Sequence, residues 1–507
     1  MRRVSPLHGL LALAAAYRLS LLGRGAMAFV DEAWHYKAGL FLQALSRGQL
    51  HNAFTNLNNF GRPGDLVVRL VPAALQTIPY AFGIAPSNPI SLLIHTSFNV
   101  AVTLVTLVFF YRLCLIFFDG DVWVSVTASA VYSLLVNTNI YVRHTLPYDW
   151  AVCLFVCALW IALTRPRRPA LSWTIGALGA GVGLIYPGYY PLAGVLAAAL
   201  VARDTADGRR DWWKTLASMA GGAIVSIGVF DLLSRLGDDS YFTIMSRLSH
   251  EQGGFTRGAY EGWIFLPRYL IDVERYAGFL LIAGLAAYST RLIARSSADR
   301  RRRPLHWIIL TAAIVWAAQA IASVAGRQYL FSSRVIHPGF LFMTWALGDA
   351  IGWAPDGVAR RVVCGVATTV ALVSWAGFAT PYAGLAYPRD VLYTLGIDSA
   401  QVPPRQKICE MDPVNATYDS PPPRDRARGY PKTDADRYVL LNFCQGFPGE
   451  KENTENRKLN TDSTLKYDGP HFLSFPAYTY EGFNEEDRHA LQTPGYRVSV
   501  YERVTRP

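Results

Sequence analysis

Charge is scarce in this sequence: 17% of its 507 residues are Asp, Glu, Lys or Arg, against 51% that are hydrophobic. Such a composition excludes an intrinsically disordered chain. The apolar residues run in helix-length blocks, too many for soluble cores to absorb, which excludes a soluble multidomain enzyme as well. Cysteine is also scarce. Six residues are too few for a disulfide scaffold. Cys114, Cys153, Cys157 and Cys364 lie in apolar runs, where small packing residues are expected. Cys409 and Cys444 lie in the polar C-terminal third and can bridge if that region faces an oxidising compartment. A Gly-x-Gly-x-x-Gly fingerprint after a strand is missing, so no Rossmann unit is expected. The second half shows no evident repeat of the first.

What is present in excess is positive charge, Lys+Arg 48 against Asp+Glu 37, a formal +11. The basic clusters Arg2-Arg3, Arg165 to Arg168, Arg203 with Arg209-Arg210, Arg300 to Arg303, and Arg360-Arg361 stand between apolar blocks. There they read as cytoplasmic anchors and not as a nucleic-acid surface, so no nucleic-acid partner is expected. The N-terminus imitates a signal peptide. Arg18 and Arg24 interrupt it, however, and no small-x-small cleavage site follows, so a retained first helix is expected.

A bilayer core of ~30 Å needs about 20 helical residues. Blocks near 7–29, 90–112, 122–140, 148–164, 170–186, 188–202, 215–235, 275–293, 306–325, 331–352 and 362–381 predict eleven crossings. These agree with the basic anchors only if the stretch 66–83 does not cross. Asp65, Arg69, Pro72 and Pro79 in or beside it fit a re-entrant or interfacial helix within the first external loop, 30–89. The N-terminus is then inside and the C-terminus outside. Gly176, Gly179 and Gly183 predict close helix packing, since no strand-turn context for a phosphate loop surrounds them.

The expected fold class is therefore an all-α polytopic membrane protein of about eleven transmembrane helices, residues 1–382, with a C-terminal extracytoplasmic α+β domain, residues 383–507. Within that domain Tyr438–Asn442 and Tyr496–Tyr501 have strand character, and Asn415-Ala-Thr417 fits a glycosylation sequon. The Ala- and Arg-rich composition points to a bacterial inner membrane.

Three patches carry candidate chemistry, all expected on the outer face. Asp31-Glu32 follows the first helix directly. A carboxylate at the edge of hydrocarbon is desolvated and more basic, able to take a proton from an attacking hydroxyl. The same dipeptide equally suits the N-terminus of the amphipathic helix that follows. Later in that loop Arg62 and Arg69 suit an anion at the membrane surface, or simple snorkelling to headgroups. The second patch is Arg143, His144 and Asp149, the last being either a cap of its helix or a ligand for substrate or metal. The third is Arg327, Tyr329, Arg334 and His337. Arg334 and His337 are three apart and are expected to share a helix face, and outer cations call for a local reason such as a lipid phosphate or an ion pair with an external carboxylate.

Together these features resemble the multi-spanning glycosyltransferases that use polyprenyl-phosphate sugars, the GT-C fold, which includes protein O-mannosyltransferases and the aminoarabinose transferases of lipid A. The resemblance rests on Asp31-Glu32 with Trp34 and Tyr36, the helical first loop ending Ala44-Leu-Ser-Arg-Gly48, Arg62-Pro63 before a re-entrant helix, and Arg327, Tyr329, Leu330 and Pro338 near a late span. It covers about residues 1–350. It implies Asp31 as base or metal-site carboxylate, Glu32 positioning the acceptor, and Arg62, Arg327 and Arg334 holding the donor phosphate. A divalent metal, if used, would involve Asp31 and Asp149. This sequence departs from the pattern at Arg62, followed by one proline, and at Tyr329 to Arg334.

The expected function is transfer of a sugar from a polyprenyl-phosphate donor to an acceptor hydroxyl on a glycan, lipid or protein at the outer membrane face, with inversion. The alternative is a non-enzymatic transporter or flippase of a lipid-linked sugar. Such carriers often show paired repeats and midplane charges, whereas here the notable charges sit at the rim.

Overall fold

The computed structural model describes residues 6–20, 22, 41–58, 65–84, 89–143, 146–252, 262–294, 303–326, 333–383, 394–397, 438–442, 463–468 and 498–503. Most of these are helical. In chain order the helices are α1 (Pro6–Ser20), α2 (Leu50–Asn58), α3 (Asp65–Ala81), α4 (Pro89–Phe117), α5 (Val122–Leu134), α6 (Asn137–Ile140), α7 (Tyr148–Thr164), α8 (Pro169–Ile185), α9 (Pro191–Ala206), α10 (Trp212–Arg235), α11 (Tyr241–Gln252), α12 (Gly262–Tyr269), α13 (Tyr276–Ala294), α14 (Arg303–Gly326), α15 (Ser333–Ile336), α16 (Gly339–Ile351) and α17 (Val358–Ala383). A single π-helical turn, Leu270–Glu274, joins α12 to α13.

Among the described residues five helices are long and apolar enough to cross a membrane: α4, α10, α13, α14 and α17. Four more, α5, α7, α8 and α16, are apolar but shorter. Helix occurs at each of the eleven places where a crossing was expected, but α1 is described only to Ser20, α1 and α9 are in neither apolar group, and two stretches are interrupted. The stretch 122–140 is not one helix. It stops at Leu135, whose extended backbone (φ −62°, ψ 141°) ends α5, and resumes as the four-residue α6. The stretch 331–352 likewise divides into α15 and α16 at Pro338, which cannot donate a backbone hydrogen bond and sits as the N-cap of α16. Both breaks expose backbone polar groups in the interior, and polar side chains answer them.

α3 lies where the re-entrant segment was expected, a helix with Pro72 and Pro79 inside it. It packs with α2 around Phe41, Ala44, Ala53, Leu57 and Ala73, a small apolar cluster separate from the main core. The main core runs through α4, α5, α7, α8, α9, α13 and α16. Here α5 and α16 are almost wholly enclosed, and Trp345 is buried against Phe110, Phe117 and Phe342. The tightest helix pair is α8 with α10. A Cβ on Gly176 would lie 1.9 Å from the Met219 carbonyl oxygen, and one on Gly222 would lie 2.0 Å from that of Trp173. Gly176 therefore serves helix packing.

In the tail, β1 (Tyr438–Asn442), β2 (Ser463–Asp468) and β3 (Val498–Arg503) form an antiparallel sheet with β3 in the middle. Tyr438 pairs with Glu502 and Asn442 with Val498. The two segments expected to be strands thus lie side by side, and Ser463–Asp468 completes the sheet.

Candidate functional site

The two helix breaks meet. The C-terminal end of α5, the short α6, the first turn of α7, the π turn before α13, and the α15–α16 junction share one end of the bundle. That end is the one at which α1 finishes, Tyr17 and Arg18 meeting the Ser133 carbonyl. Arg165, Arg203 and Arg360 belong to the opposite helix ends.

Asp149 stands in the first turn of α7, whose N-cap is Pro147. It does not cap that helix through its side chain. Instead Oδ1 meets His337 Nε2 at 3.1 Å, while Oδ2 is buried without a hydrogen-bond partner. The residue is only 4% exposed. His337, fully buried, turns its Nδ1 to Asn137 Oδ1 at 2.5 Å. The Asn137 amide cannot be flipped, because its Nδ2 donates to the Tyr269 hydroxyl at 2.8 Å and to the Ser333 carbonyl at 3.2 Å. Both imidazole nitrogens therefore face oxygen acceptors. Nδ1 must donate to Asn137, and a proton must lie between Nε2 and Asp149.

Asn137 is itself fixed from behind. Glu274, fully buried in the π turn, accepts the Val136 and Asn137 backbone N–H groups at 2.8 and 2.7 Å, which suits the N-terminus of α6. Ser374 donates to the Glu274 carbonyl, and Arg275 takes a left-handed backbone (φ +52°) that ends the π turn and starts α13. Burial pushes the Glu274 carboxyl up to about 7, against the two backbone hydrogen bonds that pull it down.

Tyrosines enclose the group. Tyr141 donates to Ser333 Oγ at 2.9 Å, Tyr189 donates to the Arg334 carbonyl at 2.6 Å, and Arg334 Nη1 donates to the Tyr148 hydroxyl at 3.2 Å. Tyr141, Tyr148, Tyr186 and Tyr189 touch one another edge to face. Burial raises the Tyr141 hydroxyl well above its ordinary value, so it stays a neutral donor.

Three residues singled out in the sequence thus converge: Asp149, Arg334 and His337. Arg334 and His337 do not act from one helix face. α15 ends at Ile336, and the two side chains reach neighbouring residues, Tyr148 and Asp149, from either side of that end. Asp31, Glu32, Arg62, His144, Arg327, Tyr329, Cys409 and Cys444 lie outside the described residues, as do the side chains of Arg69 and Arg143. The site residues that the sequence reading missed are Asn137 and Glu274. The available hints were the polar triplet Asn137-Thr138-Asn139 inside an apolar run and a lone carboxylate at the mouth of a span.

Among the described residues no three His, Cys, Asp or Glu side chains group to hold a metal. Asp149 offers one free oxygen, too few by itself for a metal shell. At the opposite end of the bundle Arg360 bridges Asp121 (2.7 Å) and Asp356, and Arg291 pairs with Asp349 at 3.1 Å, around a cavity of about 390 Å³. Compared with known proteins, the chain matches no family model and no curated protein.

Proposed function

We propose that the chain is an integral membrane glycosyltransferase that moves a sugar from a polyprenyl-phosphate donor to an acceptor hydroxyl at the outer membrane face. The observation that supports this reading is the buried carboxylate of Asp149, braced by His337 and left with one unused oxygen, while Arg334 is held on the hydroxyl of the adjacent residue Tyr148. An acceptor atom and a cation brought to the same turn suit a substrate that carries hydroxyl donors and a phosphate together. The basic clusters at the other helix ends support an outward orientation of this face, by the inward bias of Lys and Arg. On that basis the eleven helices at the expected positions are read as crossings, α3 as re-entrant, and the strands as part of an extracytoplasmic tail.

The chemistry follows from the resemblance together with these groups. The acceptor oxygen forms a bond to the anomeric carbon as the bond from that carbon to the phosphate oxygen breaks. Its electron pair leaves with the phosphate, whose charge Arg334 stabilises. The hydroxyl proton passes to Asp31, and Asp149 Oδ2 accepts a hydrogen bond from a sugar hydroxyl, fixing the ring. A single displacement of this kind inverts configuration.

The test uses purified protein in nanodiscs with a panel of synthetic polyprenyl-phosphate sugars, product formation being read by mass spectrometry. Wild type is expected to cleave the donor, and Asp31→Asn and Asp149→Asn each to lower turnover by about 100-fold or more, the scale of lost acid–base and electrostatic assistance. Passage of intact lipid-linked sugar across the bilayer without cleavage would replace the enzyme by a carrier. Unchanged turnover in Asp31→Asn would remove the base.

A further inference from the structure

A second buried charge lies near the Asp149 group and takes no part in it. Arg18, two residues before the end of α1, is 2% exposed. Its Nε donates to Asn139 Oδ1 at 3.3 Å and its Nη2 to the Ser133 carbonyl at 3.4 Å, both near the limit of hydrogen bonding. Its Nη1 is buried with no partner. None of the ion pairs among the described residues includes Arg18. A guanidinium does not deprotonate in a protein, so the charge persists. The C-terminal end of α5, where Ser133 lies, and the face of the Tyr17 ring 5.5 Å away offset only part of it. Burying an unpaired ion is costly. An anion is missing from the account.

The surroundings say where that anion would sit. Asn139 is held by the Ser133 and Leu135 carbonyls at 3.0 and 2.6 Å, so its Oδ1 must face Arg18. The Tyr17 hydroxyl shares the same Ser133 carbonyl at 2.5 Å. The four-residue α6 thus presents Asn137 to His337 and Asn139 to Arg18. The guanidinium is fixed and desolvated, and its partner Asn139 stands two residues along α6 from Asn137, the partner of His337.

We propose that Arg18 Nη1 is an anchor for the phosphate of the lipid-borne donor, a contact separate from Arg334. This rests on the glycosyltransferase reading for the identity of the lipid, while the need for an oxyanion rests on Arg18 alone. A planar fork of N–H donors fits a phosphate better than any point charge.

The experiment measures binding of a polyprenyl monophosphate, a polyprenol lacking the phosphate, and inorganic phosphate to full-length protein in nanodiscs. Wild type, Arg18→Gln, Arg18→Lys and Tyr17→Phe are compared, each checked for a cooperative thermal transition. Tyr17→Phe loosens the same corner without removing charge. The expected result is loss of polyprenyl monophosphate affinity by about 10- to 150-fold in Arg18→Gln, the worth of a charge-assisted hydrogen bond. Arg18→Lys should lose part of that, Tyr17→Phe less than about threefold, and polyprenol should bind alike in all. Wild-type affinity in a folded Arg18→Gln overturns the proposal. If that variant does not fold, wild-type affinity in Arg18→Lys overturns it instead. Arg18-dependent binding of inorganic phosphate without any lipid phosphate binding keeps the anion site and sinks the lipid-donor reading. Sugar transfer by wild type with Arg18 variants binding normally keeps the enzyme and sinks the anchor.

Discussion

Glu274 ties a proton to the shape of the site. Folded, its carboxyl holds a proton up to about 7, against an ordinary value of 4.5. The folded state therefore binds more protons than the unfolded chain between those values, and this group's contribution to stability is full below 4.5 and is lost as pH rises through 7. Thermal unfolding in detergent should show a midpoint that falls from about pH 5 to 8, and Glu274→Gln should flatten that fall because its side chain does not titrate. An identical slope in the variant would assign the pH dependence elsewhere. Asp149, Arg334 and His337 were legible in the sequence because charge at the end of an apolar run is conspicuous. Asn137 and Glu274 were not, since an amide and a lone carboxylate near a helix end are ordinary until the chain breaks at Leu135 and turns at Arg275.

Among the elements, the sequence carried helix positions well and helix interruptions poorly. Hydropathy marks where apolar residues begin and end, but says nothing about Leu135, an apolar residue that ends α5 in an extended conformation. Pro338 was a readable stop, yet it lay in a run apolar enough to be taken as continuous. The glycines of α8 were readable too. Gly176 and, on α10, Gly222 sit where the opposing backbone leaves no room for a Cβ. Because the obstructing atoms are carbonyls and not movable side chains, Gly176→Ala and Gly222→Ala should each destabilise by ~1–3 kcal/mol, the cost of overpacking. A lowered thermal midpoint for both is the expected reading, and an unchanged one would mean that the two helices slide apart freely. Gly194, which has open space around its Cβ position, is the control.

At the scale of the whole molecule, the placement of basic residues makes a definite demand. Reporter fusions should be active in the periplasm when joined after residue 383 and inactive when joined at the 207–211 turn between α9 and α10 or at 295–302. The opposite pattern would turn the Asp149 group toward the cytoplasm. The sequence marked the tail as a separate region by its loss of long apolar runs and marked two of its three strands. It did not mark Ser463–Asp468, where Lys466 and Asp468 disturb the apolar alternation that signals a strand.

α5 and α16 have 13 residues each, a span of ~20 Å at 1.5 Å per residue, against a hydrocarbon layer of ~30 Å. Their ends away from the Asp149 group are tethered by Asp121 to Arg360 and by Asp349 to Arg291. If those tethers lie at the inner boundary, the floor formed by Asn137, Asp149 and His337 is sunk roughly 10 Å beneath the outer one. A headgroup riding at the level of its neighbours would have to descend to reach that floor, or the surrounding leaflet would have to dip to meet it. Acyl-chain length in the host membrane then becomes a variable that sets access, with shorter chains narrowing the drop.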